Sequence, residues 1–201
     1  FGNVYATIGL HQSFQLKSKG KDVWLRLGAY AQVQPALKGS QDVKRESIFL
    51  APSGAIATDT ISIQQNVRGD IIYPTSLGFG VILEKQMKWL VGFDFTTANW
   101  SNYQFYGQKD YTANSWQVKL GGQYIADYSS KNLFRRMLYR AGITYGADPY
   151  SFNGNQLKQF SANFGFGIPL RNRMANYYNR QSTIINTSFE FGSRGKSTDP
   201  I

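Results

Sequence analysis

The chain has 201 residues and a net charge of +10, with no cysteine and one histidine. Without cysteine, a disulfide framework and thiol chemistry are excluded. The single histidine, His11, excludes a metal site built from several histidines. The basic excess would suit nucleic acid or an anionic lipid surface, but the lysines and arginines lie mostly in connecting segments rather than in one block. We therefore expect no nucleic-acid partner.

Composition and hydropathy favour strands over helices. Aromatic residues make up 15% of the chain and glycines number 20, while mean hydropathy is only −0.37. No run of 18 apolar residues exists, so the sequence predicts no membrane-spanning helix. The alternating strands of an outer-membrane barrel never contain such a run, so its absence does not exclude a membrane.

The first two predicted strands are 3–16 and 23–34, with a short turn between them. In the second strand every other residue from Val23 to Val33 is apolar, and those between are polar, aromatic or glycine. This period of two is the signal of a strand with two different faces. The next segment, 38–75, is predicted as a long extracellular loop or a hairpin insertion.

Six further predicted strands each set an apolar row against glycine and polar or charged residues. Short and long connections alternate along the chain, which is typical of an up-and-down outer-membrane barrel. We therefore predict an all-β, transmembrane, antiparallel barrel. Because periodicity does not tell inside from outside, a β-sandwich or a soluble lipid-binding β protein is an alternative. The six strands are 76–84, 88–100, 115–126, 137–146, 159–170 and 182–192.

Aromatic residues favour the membrane interpretation. One group lies in and beside the long connection 97–114, and another lies near the short turns. Two bands of amphipathic aromatic side chains are what two membrane–water interfaces select. The predicted interface anchors are Trp24, Trp89, Trp100 and Trp116.

Charged residues on the second row of each strand predict a polar lumen. A charge that faces lipid costs roughly 2–4 kcal/mol at the bilayer midplane, so these side chains should point inward. They would form a compensating ion-pair network, in which Asp94 meets Lys119 or Arg140, or a lining that tunes passage of a ligand. The predicted lumen-lining residues are Arg26, Asp94, Lys119, Arg140, Asn163 and Glu190.

His11 and Ser13 share one face of the first strand and are a weak indication of hydrolase chemistry. A catalytic site also needs an orienting group that converges with the nucleophile and the base. We expect a polar pair without catalysis, and hence no enzyme activity, no metal and no cofactor.

The pattern of one stretch is similar to a known family. It combines a proline, a strand with spaced glycines, a short turn, a second strand and a Trp-Ser pair, at Pro74, Gly78, Gly80, Trp89, Asp94, Trp100 and Ser101. With the strands at 115–124, 139–150 and 160–170, this pattern resembles the FadL-type outer-membrane transporters, above all FadL-like proteins of the Bacteroidota.

This resemblance implies a location in the outer membrane of a Gram-negative bacterium. Residues 1–201 would be a single, incomplete part of a 14-stranded barrel, without the N-terminal strands, the hatch and the closing strand. A complete eight-stranded barrel is the alternative.

The resemblance also implies passive uptake of small hydrophobic compounds, without a cofactor. The alternative function is an accessory or scaffold barrel in a larger outer-membrane complex for protein secretion or barrel assembly. Expected partners are outer-membrane lipid, a small hydrophobic ligand or other subunits of such a complex. Basic residues that would contact lipopolysaccharide, or would simply be solvated, are Lys38, Lys44, Arg45 and Lys109.

Overall fold

A computed structural model describes residues 6–18, 21–33, 36–50, 56–152, 155–170 and 183–195. Its strands pair in antiparallel fashion, and the helical elements within these ranges are a 3-10 turn, Trp100–Asn102, and one helical turn, α1, Leu133–Arg136. The strands are β1 (Ala6–Ser18), β2 (Lys21–Val33), β3 (Leu37–Leu50), β4 (Ile56–Ile72), β5 (Ser76–Lys85), β6 (Trp89–Ala98), β7 (Gln104–Phe105), β8 (Gln108–Lys109), β9 (Ser115–Ile125), β10 (Leu138–Phe152), β11 (Asn155–Leu170) and β12 (Thr183–Arg194).

The main sheet has eight strands in the order β1-β2-β5-β6-β9-β10-β11-β12. They coincide with the eight strands expected from the alternating pattern, so the all-β antiparallel prediction is confirmed. In the described ranges β1 and β12 are not paired with each other, so the sheet is not closed into a barrel. The predicted closure is therefore not observed, and a 14-stranded barrel has no support. None of the described helices is long and apolar enough to cross a membrane.

The register gives the main sheet one apolar face and one polar face. Phe93 lies opposite Val81 and Leu120, and Leu120 lies opposite Ile143, so apolar side chains continue from strand to strand. Within the described residues only five hydrophobic side chains are buried, and none of the large ones is fully buried. The sheet is thus a single layer whose apolar face nothing in the described chain covers.

The two rims of this sheet differ. The short-turn rim carries the turn 86–88 and the connection 126–137, which contains α1. The long-turn rim carries the β3–β4 hairpin, the segment 99–114, the last residues of β10 and the first residues of β11.

A second sheet has the strand order β3-β4-β7-β8, in which β3 and β4 form a long ribbon and β4 also pairs with β7. At 14 residues, β3 extends roughly 45 Å. The ribbon carries two register shifts, between Gln41 and Val43 and between Arg45 and Glu46. At the first shift the Asn66 N–H donates to Asp42 Oδ1 over 2.8 Å.

Strand β10 is longer than the alternating pattern predicts. It continues through Asp148 and Pro149 to Phe152, beyond the predicted strand 137–146 and into the connection that precedes the predicted strand 159–170. Its end is held by Thr112, which forms a β-bridge with Tyr150, so a tertiary partner overrides the local turn preference of Asp-Pro.

Two glycines accommodate a tyrosine ring. A Cβ at Gly78 of the main sheet would lie 2.1 Å from Cε1 of Tyr30, and one at Gly69 of the ribbon would lie 2.0 Å from Cδ1 of Tyr106. Tyr106 also donates its backbone N–H to the Asp70 carbonyl over 2.9 Å. The contacts of Tyr106 with Gly69 and Asp70 therefore join the base of the ribbon to the turn between β7 and β8.

Candidate functional site

All six predicted lumen-lining residues lie on the polar face of the main sheet. The register places Asp94 directly opposite Lys119, and Asn163 opposite Glu190. Arg26 and Arg140 share this face by strand alternation. That the face borders a lumen stays a prediction, because the sheet is open.

The polar face contains a partial network. An Arg26 Nη2 nitrogen lies 3.0 Å from Glu84 Oε2. Arg140 donates from Nε to Gln123 Oε1 over 2.9 Å and from Nη1 to Asn186 Oδ1 over 2.7 Å. Asp94 takes part in none of the ion pairs among the described residues. The expected pairing of Asp94 with Lys119 or Arg140 is therefore absent from the described structure, although Lys119 is its cross-strand neighbour.

The four tryptophans occupy different surfaces. Trp89 and Trp116 lie on the apolar face, one at each rim, and Trp100 begins the 3-10 turn at the long-turn rim. Trp24 lies opposite Glu84, on the polar face. The role of these residues as interface anchors stays a prediction.

The polar face also carries the His11 and Ser13 pair of β1. His11 is exposed and lies opposite Gly28, while Ser13 lies opposite Arg26. No group of three or more histidine and acidic side chains is close enough to hold a metal among the described residues. A cavity of about 360 Å³ is lined by Asp94, Lys119 and Gln117 together with Gly78 and Gly80.

The long-turn rim forms an ordered platform, which we define as the β3–β4 ribbon, the segment 99–114 and residues 147–152 of β10. Ala113 donates its N–H to the Pro149 carbonyl over 2.8 Å, and Ser151 donates to the Tyr111 carbonyl over 3.2 Å. The Thr112 hydroxyl donates to the Trp100 carbonyl over 2.7 Å. The first two contacts join the segment 99–114 to residues 147–152, which lie far from it in the sequence, and the third holds the segment 99–114 together.

Aromatic side chains cover this platform. Tyr103 packs against Tyr73 and Trp100, with ring centroids 6.0 and 5.8 Å apart. Tyr111 is 86% exposed and Tyr150 is 60% exposed, and the Arg194 guanidinium lies 5.9 Å from the Tyr150 ring centroid. Tyrosine, tryptophan and arginine are the residues enriched at protein–protein interfaces.

Sequence reasoning assigned no role to the platform as a whole. The density of tyrosine and tryptophan between Trp100 and Trp116 could have drawn attention to it. The segment that it contacts, 147–152, contains an Asp-Pro pair. This pair by itself predicts a turn or a loop rather than the end of a strand.

Comparison with known proteins gives one informative result. No match was found among curated proteins or among solved structures. The BamG family matches residues 2–201, which is almost the whole chain. This match contradicts the resemblance to FadL-type transporters and favours the accessory subunit over hydrophobic uptake. The chain therefore belongs to the BamG family and is an accessory subunit of the outer-membrane barrel-assembly machinery.

Proposed function

We propose that the chain is an integral scaffold subunit of this machinery: its main sheet lies in the outer-membrane bilayer and its platform binds other subunits. The observation that carries the proposal is the family match over residues 2–201, combined with an uncovered apolar face that continues across eight strands. Scaffolding of this kind needs no catalytic group, metal or cofactor.

The exposure of the apolar face supports placement in lipid. Leu10 is 78% exposed and Phe191 is 65% exposed, although they lie on strands at opposite ends of the sheet. Soluble monomers rarely expose contiguous apolar patches larger than a few hundred Å². The strands of the main sheet have 10 to 16 residues, which is enough to cross an apolar band about 25 Å tall at the tilt of roughly 40° that is usual in membrane barrels.

The polar face is consistent with this orientation. It carries the ion pair of Arg26 with Glu84 and the hydrogen-bonded Arg140, and these charged groups would be costly in hydrocarbon. Placing the apolar face against acyl chains keeps these groups away from lipid.

The ribbon supports the binding of a protein partner. Its distal part exposes Ile48, Ile61 and Ile63 at 66%, 69% and 59%. A two-stranded ribbon by itself is marginally stable in water, so a ribbon of this length gains from a surface that covers its isoleucines. Other subunits of the assembly complex are the partners that family membership implies.

Purification of the tagged full chain tests this function. After gentle detergent extraction of outer membranes, we expect the chain in a large complex with other barrel-assembly subunits, identified by mass spectrometry. Recovery as a monomer under the same conditions would contradict the proposal.

A matched pair of variants tests the platform. Ile61→Lys combined with Ile63→Lys should reduce recovery of the complex by roughly tenfold or more, because charges would replace the apolar contact. Thr60→Lys combined with Gln64→Lys adds the same charge at exposed polar positions of the same strand and should have little effect. Equal effects of the two variants would exclude the isoleucines as the contact.

A further inference from the structure

The apolar face of the main sheet contains a groove of about 790 Å³ between β6, β9, β10 and β11. Gly122 and Ala141 lie opposite each other in the register and form its floor. Leu120 and Ile143 stand on the side towards the long-turn rim, and Tyr124 and Tyr139 stand on the other side. The volume lies within the range of about 300–1,000 Å³ that is usual for small-molecule sites.

The groove accepts an apolar occupant. Its side chains from the apolar face carry no charge. Gln123, Arg140 and Asn163 also line the groove, but strand alternation places them on the polar face of the sheet. Trp89, Tyr124 and Tyr139 lie at the ends of their strands, so the groove opens towards the short-turn rim. Aromatic residues of this kind favour the level of lipid headgroups.

Basic residues lie where the groove opens. Lys88 directly precedes Trp89, and its Nζ donates to the Ala126 carbonyl over 3.2 Å. The Ile125 N–H donates to the Lys88 carbonyl over 2.7 Å, so the turn 86–88 and the connection 126–137 form one continuous edge. The Tyr139 hydroxyl donates to the Phe134 carbonyl over 2.8 Å, which brings the neighbouring Arg135 to the same edge.

The charge of this edge is positive. The segments 85–88 and 126–137 hold five basic residues against one acidic residue, Asp127. Asp127 is engaged locally, since its Oδ1 accepts from the Ser129 N–H over 3.0 Å. None of the ion pairs in the described ranges involves Lys88, Lys131 or Arg135, whose side chains are exposed.

The exposed side chains of α1 also suit contact with lipid. Leu133 is 41% exposed and Phe134 is 70% exposed, and the basic Arg135 follows directly. Apolar side chains beside exposed cations suit the boundary between acyl chains and headgroups.

We propose that this groove binds an anionic phospholipid, with an acyl chain between the tyrosines and the phosphate beside Lys88 and Arg135. The proposal rests on the proposed function, because it requires the apolar face to lie in the bilayer. Charge complementarity selects an anionic phospholipid over an apolar helix of another subunit, which would leave the basic edge without a counter-charge.

Native mass spectrometry of the full chain, released from detergent micelles, tests the site. Phosphatidylglycerol and phosphatidylcholine with identical acyl chains are the probes. We expect one phosphatidylglycerol to be retained about tenfold in preference to phosphatidylcholine, since two cations near a lipid surface contribute that order of selectivity. Equal retention of the two lipids overturns the proposal.

Variants separate the headgroup contact from the groove. Lys88→Glu combined with Arg135→Glu should abolish the preference while phosphatidylcholine retention stays unchanged. Ala141→Leu should fill the groove and remove retention of both lipids at this site, whereas Ala31→Leu, on the same face of β2 outside the groove, should not. Retention by Ala141→Leu equal to that of the unmodified chain overturns the proposal, and Ala162→Leu serves the same purpose if Ala141→Leu does not fold.

Insertion into liposomes distinguishes the two proposals. An unmodified chain that fails to insert overturns both of them. An unmodified chain that inserts and assembles with partner subunits, but shows no preference for phosphatidylglycerol, overturns the lipid site alone.

Discussion

The main sheet and the β3–β4 ribbon are both antiparallel, but they separate polar from apolar residues differently. In the main sheet, Phe93 and Leu120 share one face while Asp94 and Lys119 share the other. In the ribbon, Lys44 forms an ion pair with Glu46 and lies opposite the exposed Ile63. A clean separation suits a layer between lipid and a polar compartment, whereas a mixed surface suits contact with a protein.

The strands also differ in how many neighbours they have. Six of the eight main-sheet strands pair on both sides, whereas β3 pairs only with β4 among the described strands. We therefore expect the main sheet to depend on the bilayer and the ribbon to depend on a partner.

The largest expected effect is a charge on the apolar face. Phe93→Asp should block membrane insertion, because a charged side chain that faces lipid destabilises a membrane strand, most of all near the midplane. Asp94→Leu, one residue further along the same strand, should be tolerated. Flotation with liposomes and heat-dependent gel migration measure insertion, and the opposite pair of outcomes would reverse the assigned faces.

A second prediction compares the glycine–tyrosine contacts of the two regions. Gly69→Val should destabilise only the ribbon and Gly78→Val should destabilise the main sheet, each by about 1–3 kcal/mol, because a side chain would overlap a tyrosine ring. Hydrogen exchange, measured separately for segments of the ribbon and of the main sheet, shows which region loses stability. Tyr106→Ala should restore protection to the Gly69→Val variant, and a lack of rescue would show that the ring is not the obstacle.

A smaller effect is expected from the hydrogen bonds of Arg140. Arg140→Met removes the contacts with Gln123 and Asn186 and should lower the free energy of unfolding by about 1 kcal/mol. Lys119→Met removes a charge from the same face without breaking an ion pair seen among the described residues, and it should cost less. Urea unfolding in liposomes compares the free energies of unfolding of the two variants. Equal losses would mean that the removed charge, and not the hydrogen bonds of Arg140, determines the effect.

The smallest effect concerns the ion pairs. Glu84→Gln in the main sheet should cost about 0.2–1 kcal/mol, and this cost should fall as salt concentration rises. Glu46→Gln in the ribbon should cost less still, since the side chains of that pair are more exposed. A larger loss for Glu46→Gln in the isolated chain would contradict the idea that the ribbon gains its stability from a partner.

The main sheet could be predicted from sequence because a period of two fixes both strand position and face. This rule places Phe93 and Asp94 on opposite faces without any tertiary information. The ribbon was harder to predict because each register shift exchanges the faces of the residues beyond it, so the alternation through Lys44 and Ile63 is broken.

The family could not be identified reliably from the same residues. Gly78 and Gly80 lie where neighbouring side chains pack closely against the strand, and Trp89 begins a strand. Unrelated outer-membrane strands share both features, so they do not identify a family. The period of two was enough to place Arg26, Asp94 and Arg140 on one face, whereas it does not predict their contacts. Arg140 reaches Asn186 two strands away, and no local pattern encodes that distance.

The bridge between Thr112 and Tyr150 has a consequence for the order of folding. It joins segments 38 residues apart, and Arg194 of β12 adds a contact with Asp148 at the same place. Such distant contacts form only after the intervening strands have closed their loops and found their register. The platform therefore completes late, so a partner that binds it would select chains whose strands from β9 to β12 are already correctly paired.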